Sequence, residues 1–165
     1  MGLFSFRELQ NGEQTRILPR LFDILYGNMS VLAPSGYSYE EDQNVWMSYI
    51  APLLDQGAKR IVLMFWDDSV VGYSQYSMVG DTLHVDEVQV LPQYHRTMLF
   101  YRFCQYMIKT VPETVWCIES YVRKDNANSI SIHEGLGMKR IGENKSGTSW
   151  LYCGDRENAE VRFLR

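Results

Sequence analysis

Between Ile61 and Val90 the apolar residues stop recurring at helical spacing and form three β-rich runs in succession. Ile61-Val62-Leu63-Met64-Phe65-Trp66 is apolar without a break. Asp67-Asp68-Ser69 turns the chain into a second run, Val70 to Met78, and Val79-Gly80-Asp81 turns it again into Thr82 to Val90. Connections this short join antiparallel neighbours, so the middle of the chain is predicted to be a three-stranded meander.

The flanking segments alternate between helix and strand. Leu3 to Leu9 alternates weakly and reads as a first strand, and Glu13 to Tyr26 repeats Ile17, Leu21, Ile24 and Leu25 at helical spacing. After the loop Ala33-Pro34-Ser35-Gly36, Ser38 is placed to cap a second helix, with Glu40, Glu41 and Asp42 in its electropositive first turn. That helix carries Val45, Trp46, Tyr49, Ile50, Leu53 and Leu54 on one face and ends near Gln56-Gly57. Beyond Pro92, Thr97 to Lys109 is helical, Thr114 to Val122 is a strand, and Asn126 to Leu136 is a short helix closed by Gly137. Met138 to Ile141 and Ser149 to Cys153 form a last pair of strands. The order is β-α-α-β-β-β-α-β-α-β-β, which predicts an α/β protein with a single mixed, mostly antiparallel sheet and helices on both faces. No linker or repeat divides it, so residues 1–165 read as one domain.

Charge and cysteine usage narrow the function classes. Lys and Arg number 16 against 20 Asp and Glu, a net −4 that argues against nucleic-acid binding driven by overall charge. Cys104, Cys117 and Cys153 are odd in number and lack CxxC spacing, so neither a disulfide framework nor a metal site is expected. No apolar run is long enough to span a bilayer, and charge arrives too early for a signal-peptide core. Gly2 follows Met1, but Phe6 stands where myristoylation needs Ser or Thr. The expectation is a cytoplasmic protein with no membrane partner.

The segment Thr82 to Phe100 is a strand–loop–helix unit, and exposed amides at such a helix start suit an anion such as phosphate. His95-Arg96-Thr97 adds a guanidinium and a hydroxyl. On these residues alone, an ordinary turn with a solvated arginine is the better reading. The second half shifts the balance. Asp125-Asn126-Ala127-Asn128-Ser129-Ile130-Ser131-Ile132-His133-Glu134-Gly135-Leu136-Gly137-Met138 resembles the N-x-N-A-x-x-x-Y-x-x-x-G-F signature of the GNAT superfamily of N-acetyltransferases. Val88-Gln89-Val90-Leu91-Pro92-Gln93-Tyr94-His95 resembles the V-x-P-x-Y-R stretch on that family's fourth strand, and the element order also agrees.

The resemblance implies a GNAT-like acyl-coenzyme A fold and acetyl-coenzyme A as cosubstrate, with no metal. It implies pantetheine pairing with the backbone of Val88 and Val90, and a pyrophosphate on His95, Arg96, Thr97, Met98, Leu99 and Phe100. Asn126 and Ser129 are implied contacts of the cofactor arm. The family's loop reads R/Q-x-x-G-x-G/A, whereas this chain has His95 at the first position and Met98 and Phe100 at the two small ones. Its 12 glycines include none between Gly80 and Gly135. The implied catalytic base is Glu87, with His84 and Asp86 on the opposite strand face as alternatives. Glu87 is equally readable as a solvated strand carboxylate. His133 takes the position of the family's thiolate-protonating Tyr, and an imidazolium can donate a proton at neutral pH. A helix-surface histidine is the competing reading. The acceptor is expected to be a primary amine of a small molecule or peptide, or else the chain is a catalytically impaired module binding a metabolite or protein. The resemblance also implies a homodimer, formed by pairing final strands or exchanging C-terminal segments, and Glu160 to Arg165, which alternates, reads as such a strand.

Overall fold

The computed structural model describes residues 3–165, so Met1 and Gly2 and the myristoylation reading lie outside the described residues. Seven strands make one mixed sheet: β1 (Phe4–Glu8), β2 (Arg60–Trp66), β3 (Ser69–Val79), β4 (Thr82–Val90), β5 (Cys117–Arg123), β6 (Lys139–Glu143) and β7 (Ser149–Asp155). Five helices accompany them: α1 (Gln14–Met29), α2 (Tyr39–Asp55), α3 (Leu99–Thr110), α4 (Ala127–Gly135) and α5 (Arg156–Leu164). The strand order is β1-β2-β3-β4-β5-β7-β6. β1 with β2, β5 with β7, and β6 with β7 run antiparallel, and β4 with β5 is parallel. β4 begins and ends where the sequence places it, because Gly80-Asp81 turns the chain before Thr82 and Pro92 opens a 3₁₀ turn after Val90.

The chain divides into two compact units. One takes the chain up to Gln75 together with Val88–Phe103; the other takes Tyr76–Glu87 and Cys104–Arg165. In the first, four successive β2 residues, Ile61 to Met64, are buried, which a strand covered on one face cannot show. Ile61, Leu63 and Tyr73 pack with Ile17, Leu18, Leu21 and Ile24 of α1 and Ile50 of α2. On the other face, Phe6 pairs across from Met64 and sets its ring 6.3 Å from Phe103 of α3. Ser38 caps α2 as expected: its hydroxyl accepts from the Glu41 amide at 3.3 Å, and the Glu41 carboxylate accepts from the Ser38 amide at 2.8 Å. The α1 start is fixed by Glu13, whose carboxylate accepts two bonds from the Arg7 guanidinium at 2.7 and 2.8 Å. With the Gln10 amide as a further donor, these bonds hold Glu13 down to a pKa of about 2.

In the second unit β5 pairs with β7 along its whole length, Cys117 opposite Asp155 through Arg123 opposite Ser149. Residues 160–164, expected as a strand, are helical instead and belong to α5. Asp155 caps that helix by accepting from the Asn158 amide at 2.8 Å, and Arg156 pairs with Glu160 one turn on at 2.7 Å. These local bonds decide the segment, because the alternation of six residues fits a helix that buries only Phe163. The expected pairing strand is therefore not present. Arg156 also donates to the carbonyls of Ile108, Val111 and Pro112, which terminate α3. β5 starts at Cys117 rather than Thr114, because Val115 donates back to Pro112 in a turn.

Candidate active site

In the first unit, the candidate cofactor residues lie at the end of β4 and in the loop that follows. β3 and β4 approach so closely at Gly72 that its Cα faces the Gln89 carbonyl with no room for a side chain. The Val90 carbonyl accepts from Asn28 Nδ2 at 3.0 Å and lies 2.8 Å from His95 Nε2, so His95 folds back on the strand end with its proton on Nε2. Asn28 Nδ2 also donates to Gln89 Oε1 at 3.0 Å. Asn28 was beyond reach of sequence reasoning, since nothing about a residue near the end of α1 signals a bond to β4.

The loop then tightens on itself. The amides of Tyr94, His95 and Thr97 bond to the carbonyls of Leu91, Pro92 and Tyr94. The Thr97 hydroxyl donates to the Tyr94 carbonyl at 2.7 Å and accepts from the Leu99 amide at 3.2 Å. It therefore starts α3, two residues later than expected, and its proton is committed within the loop. Leu99 is buried, Phe100 is half-buried with its ring 6.3 Å from Phe103, and Arg96 is exposed. Met98 is 55% exposed, so its side chain does not turn into the core.

In the second unit, the β4–β5 ladder is confined to Thr82–Val85 opposite Cys117–Ser120, while β5 runs on to Arg123. Alternation puts His84 and Asp86 on one face of β4 and Glu87 on the other. His84 Nε2 lies 3.9 Å from Asp86 Oδ1, and its Nδ1 lies 3.8 Å from Glu119 Oε2 of β5. The Tyr121 ring sits 5.4 Å from the His84 ring. The structure thus joins His84 and Asp86 and adds Glu119 and Tyr121, which only the strand register could reveal. Glu87 is half-buried on β4.

On α4, the Asn126 side chain accepts from the Ser129 amide at 3.0 Å and caps the helix. His133 Nδ1 lies 2.8 Å from the Ser129 carbonyl, which fixes the proton on Nδ1 and leaves a lone pair on Nε2. Its ring lies 5.4 Å from that of buried Tyr152. Burial lowers the His133 pKa below its ordinary value, against the opposing effect of the Ser129 carbonyl. The imidazole is therefore neutral at neutral pH. Tyr152 donates to Glu134 at 3.0 Å and accepts from Arg140 at 2.7 Å, so its hydroxyl is held within the unit.

A mixed seven-stranded sheet with one parallel pair and helices after its first and fourth strands is the fold of the GNAT acetyltransferases. Three solved structures carry the comparison. The chain is similar to PaiA N-acetyltransferase from Thermoplasma acidophilum in complex with coenzyme A, with a TM-score of 0.66 and 14% identity over 93% of this chain and 99% of that one. An acetyltransferase from Thermus thermophilus gives a TM-score of 0.72 at 13% identity, covering 92% and 96% of the two chains. A GNAT-family acetyltransferase from Bacillus cereus gives 0.64 at 16%, covering 93% and 98%. No family model and no curated protein matches the sequence. Among the described residues no helix is long and apolar enough to cross a membrane.

Proposed function

We propose that residues 1–165 act as one domain, an acetyl-coenzyme A-dependent N-acetyltransferase whose acceptor is a primary amine of a small molecule or peptide. The observation that carries this reading is a fold held in common with a coenzyme A-bound acetyltransferase. On this reading acetyl-coenzyme A lies on the residues that the motif resemblance implies. Val88 and Val90 offer strand backbone, although the Val90 carbonyl already accepts from Asn28 and lies against His95. The amides of Arg96, Met98 and Phe100, which take part in none of the loop bonds named above, are the donors a pyrophosphate would use, with the exposed Arg96 guanidinium beside them. Asn126 and Ser129 are proposed for the cofactor arm. Amides without a partner in the loop suit an anion, while the exposed Met98 side chain adds bulk where the resemblance implies a glycine.

When bound, the coenzyme supplies a thioester carbonyl for attack by the deprotonated amine. Glu87 is proposed as the base that accepts the amine proton, directly or through water, with the His84–Asp86 pair as the alternative. The leaving thiolate takes a proton from solvent or by relay from the protonated Glu87; the resemblance gives that step to His133, whose neutral form has its proton on Nδ1, bonded to the Ser129 carbonyl. Donation would require the imidazolium that burial disfavours. A cytoplasmic, reducing setting is part of the proposal and fits three free cysteines.

Thiol release from acetyl-coenzyme A in the presence of a broad amine panel tests the reading. Amine-dependent release that falls about 10²–10⁴-fold in Glu87→Gln supports it. Binding of the coenzyme with no release for any amine would favour a binding module instead.

A further inference from the structure

Two sulfurs and a carboxylate converge on one face of the β5–β7 ladder. Glu119 stands directly opposite Cys153, and Cys117 lies two residues before Glu119 on the same face of β5. Cys117 Sγ and Cys153 Sγ are 2.6 Å apart, and Cys117 Sγ is 3.9 Å from Glu119 Oε1. One donor atom from each of the three side chains lies within 4.8 Å of the others. Both thiols are free, and all three residues are half-buried, so the cluster is open to an ion without being fully solvated. The paired strands fix the backbone of these three residues in register independently of any ligand.

This donor set has a chemical preference. Thiolates select zinc-like and other soft cations over magnesium or calcium, and a carboxylate completes three protein ligands with a fourth position open to water. His84 Nδ1 lies 3.8 Å from Glu119 Oε2, too far for a hydrogen bond, so the donor set is the two sulfurs and the carboxylate. We propose that Cys117, Glu119 and Cys153 form a binding site for a thiophilic divalent cation of the zinc class. Binding forms two metal–sulfur bonds and one metal–oxygen bond. The two thiol protons pass to solvent, and nothing is oxidised. Metal–sulfur bonds of about 2.3 Å at a tetrahedral angle set the sulfurs roughly 3.8 Å apart, so the two short side chains open by about 1.2 Å on binding. The site is independent of the acetyl-transfer reading, and the two stand or fall separately.

The test is a Co²⁺ titration of the full chain, stripped with chelator and kept reduced with a phosphine. The expected result is a sulfur-to-cobalt charge-transfer band that saturates at one ion per chain and is displaced by Zn²⁺. Cys117→Ser and Cys153→Ser each remove or deeply weaken the band, Glu119→Gln lowers affinity about tenfold or more, and Cys104→Ser leaves it unchanged. Far-ultraviolet circular dichroism establishes that each variant is folded, and Glu119→Gln, being nearly isosteric, reads the site even if a cysteine variant unfolds. Absence of the band, or its survival in the Cys117→Ser, Cys153→Ser double variant, overturns the proposal. So does mass analysis that finds the two sulfurs joined as a disulfide under the reducing conditions of the titration.

Discussion

Replacing Gly72 with alanine probes the point where β3 meets the end of β4. A Cβ at that position would sit 2.7 Å from the Gln89 carbonyl oxygen, 3.1 Å from Met64 Sδ and 3.2 Å from Val90 Cγ2. The nearest atom belongs to the backbone, so relief requires the Gln89–Val90 segment to shift rather than a side chain to rotate. One extra methyl in so tight a place costs about 1–3 kcal/mol. For a chain of this length each kcal/mol moves Tm by roughly 2–4 °C, so Gly72→Ala should lower Tm by roughly 2–12 °C. The control is Gly27→Ala, inside α1, where an added Cβ meets nothing within 4 Å. That change should stabilise by about 0.5–1 kcal/mol, because alanine restricts the unfolded chain and favours helix. Differential scanning calorimetry of both variants reads the contrast directly. A Gly72→Ala melt indistinguishable from the parent would refute the packing argument, as would the two variants shifting in the same direction.

Arg156→Ala should cost about 2–3 kcal/mol, since it strips charged hydrogen bonds from three carbonyls at the end of α3 and leaves Glu160 without its partner. Arg156→Lys should recover only part of this in thermal melts, because a single ammonium cannot reproduce the guanidinium fork. His133, whose pKa is lowered in the fold by burial, should make stability decline as pH drops below about 6.5, where the unfolded chain takes up the proton first. The decline levels off below the folded pKa, and urea midpoints measured across this range should lose that slope in His133→Gln.

Much of this architecture is legible where local chemistry punctuates the chain. The bounds of β4 follow from a glycine turn and a proline, and the start of α2 follows from Ser38 and Glu41. Expectation and structure part at α5, where six alternating residues suggest a strand. The signals that decide it, Asp155 as cap and Arg156 with Glu160 one turn apart, are also in the sequence, but they carry less visual weight than alternation. The start of α3 moved because Thr97 satisfies its neighbours in a way that spacing alone does not reveal. The candidate site divides on the same line. That His84 and Asp86 share a face follows from the two-residue period of a strand. That Glu119 and Tyr121 join them, and that Asn28 reaches the Val90 carbonyl, depends on register and long-range packing. The tautomer of His133 depends on a bond to Ser129 one helical turn earlier, a spacing the sequence contains but does not interpret.

Isothermal titration calorimetry with acetyl-coenzyme A tests the central proposal most directly. The account predicts saturable binding of one molecule per chain, weakened when Arg96 is replaced by alanine because a charged donor to the pyrophosphate is lost. The glycine-free loop at Met98 should loosen binding without abolishing it, and Met98→Gly should strengthen it. No heat of binding at millimolar acetyl-coenzyme A, from protein shown to be folded, would contradict the account.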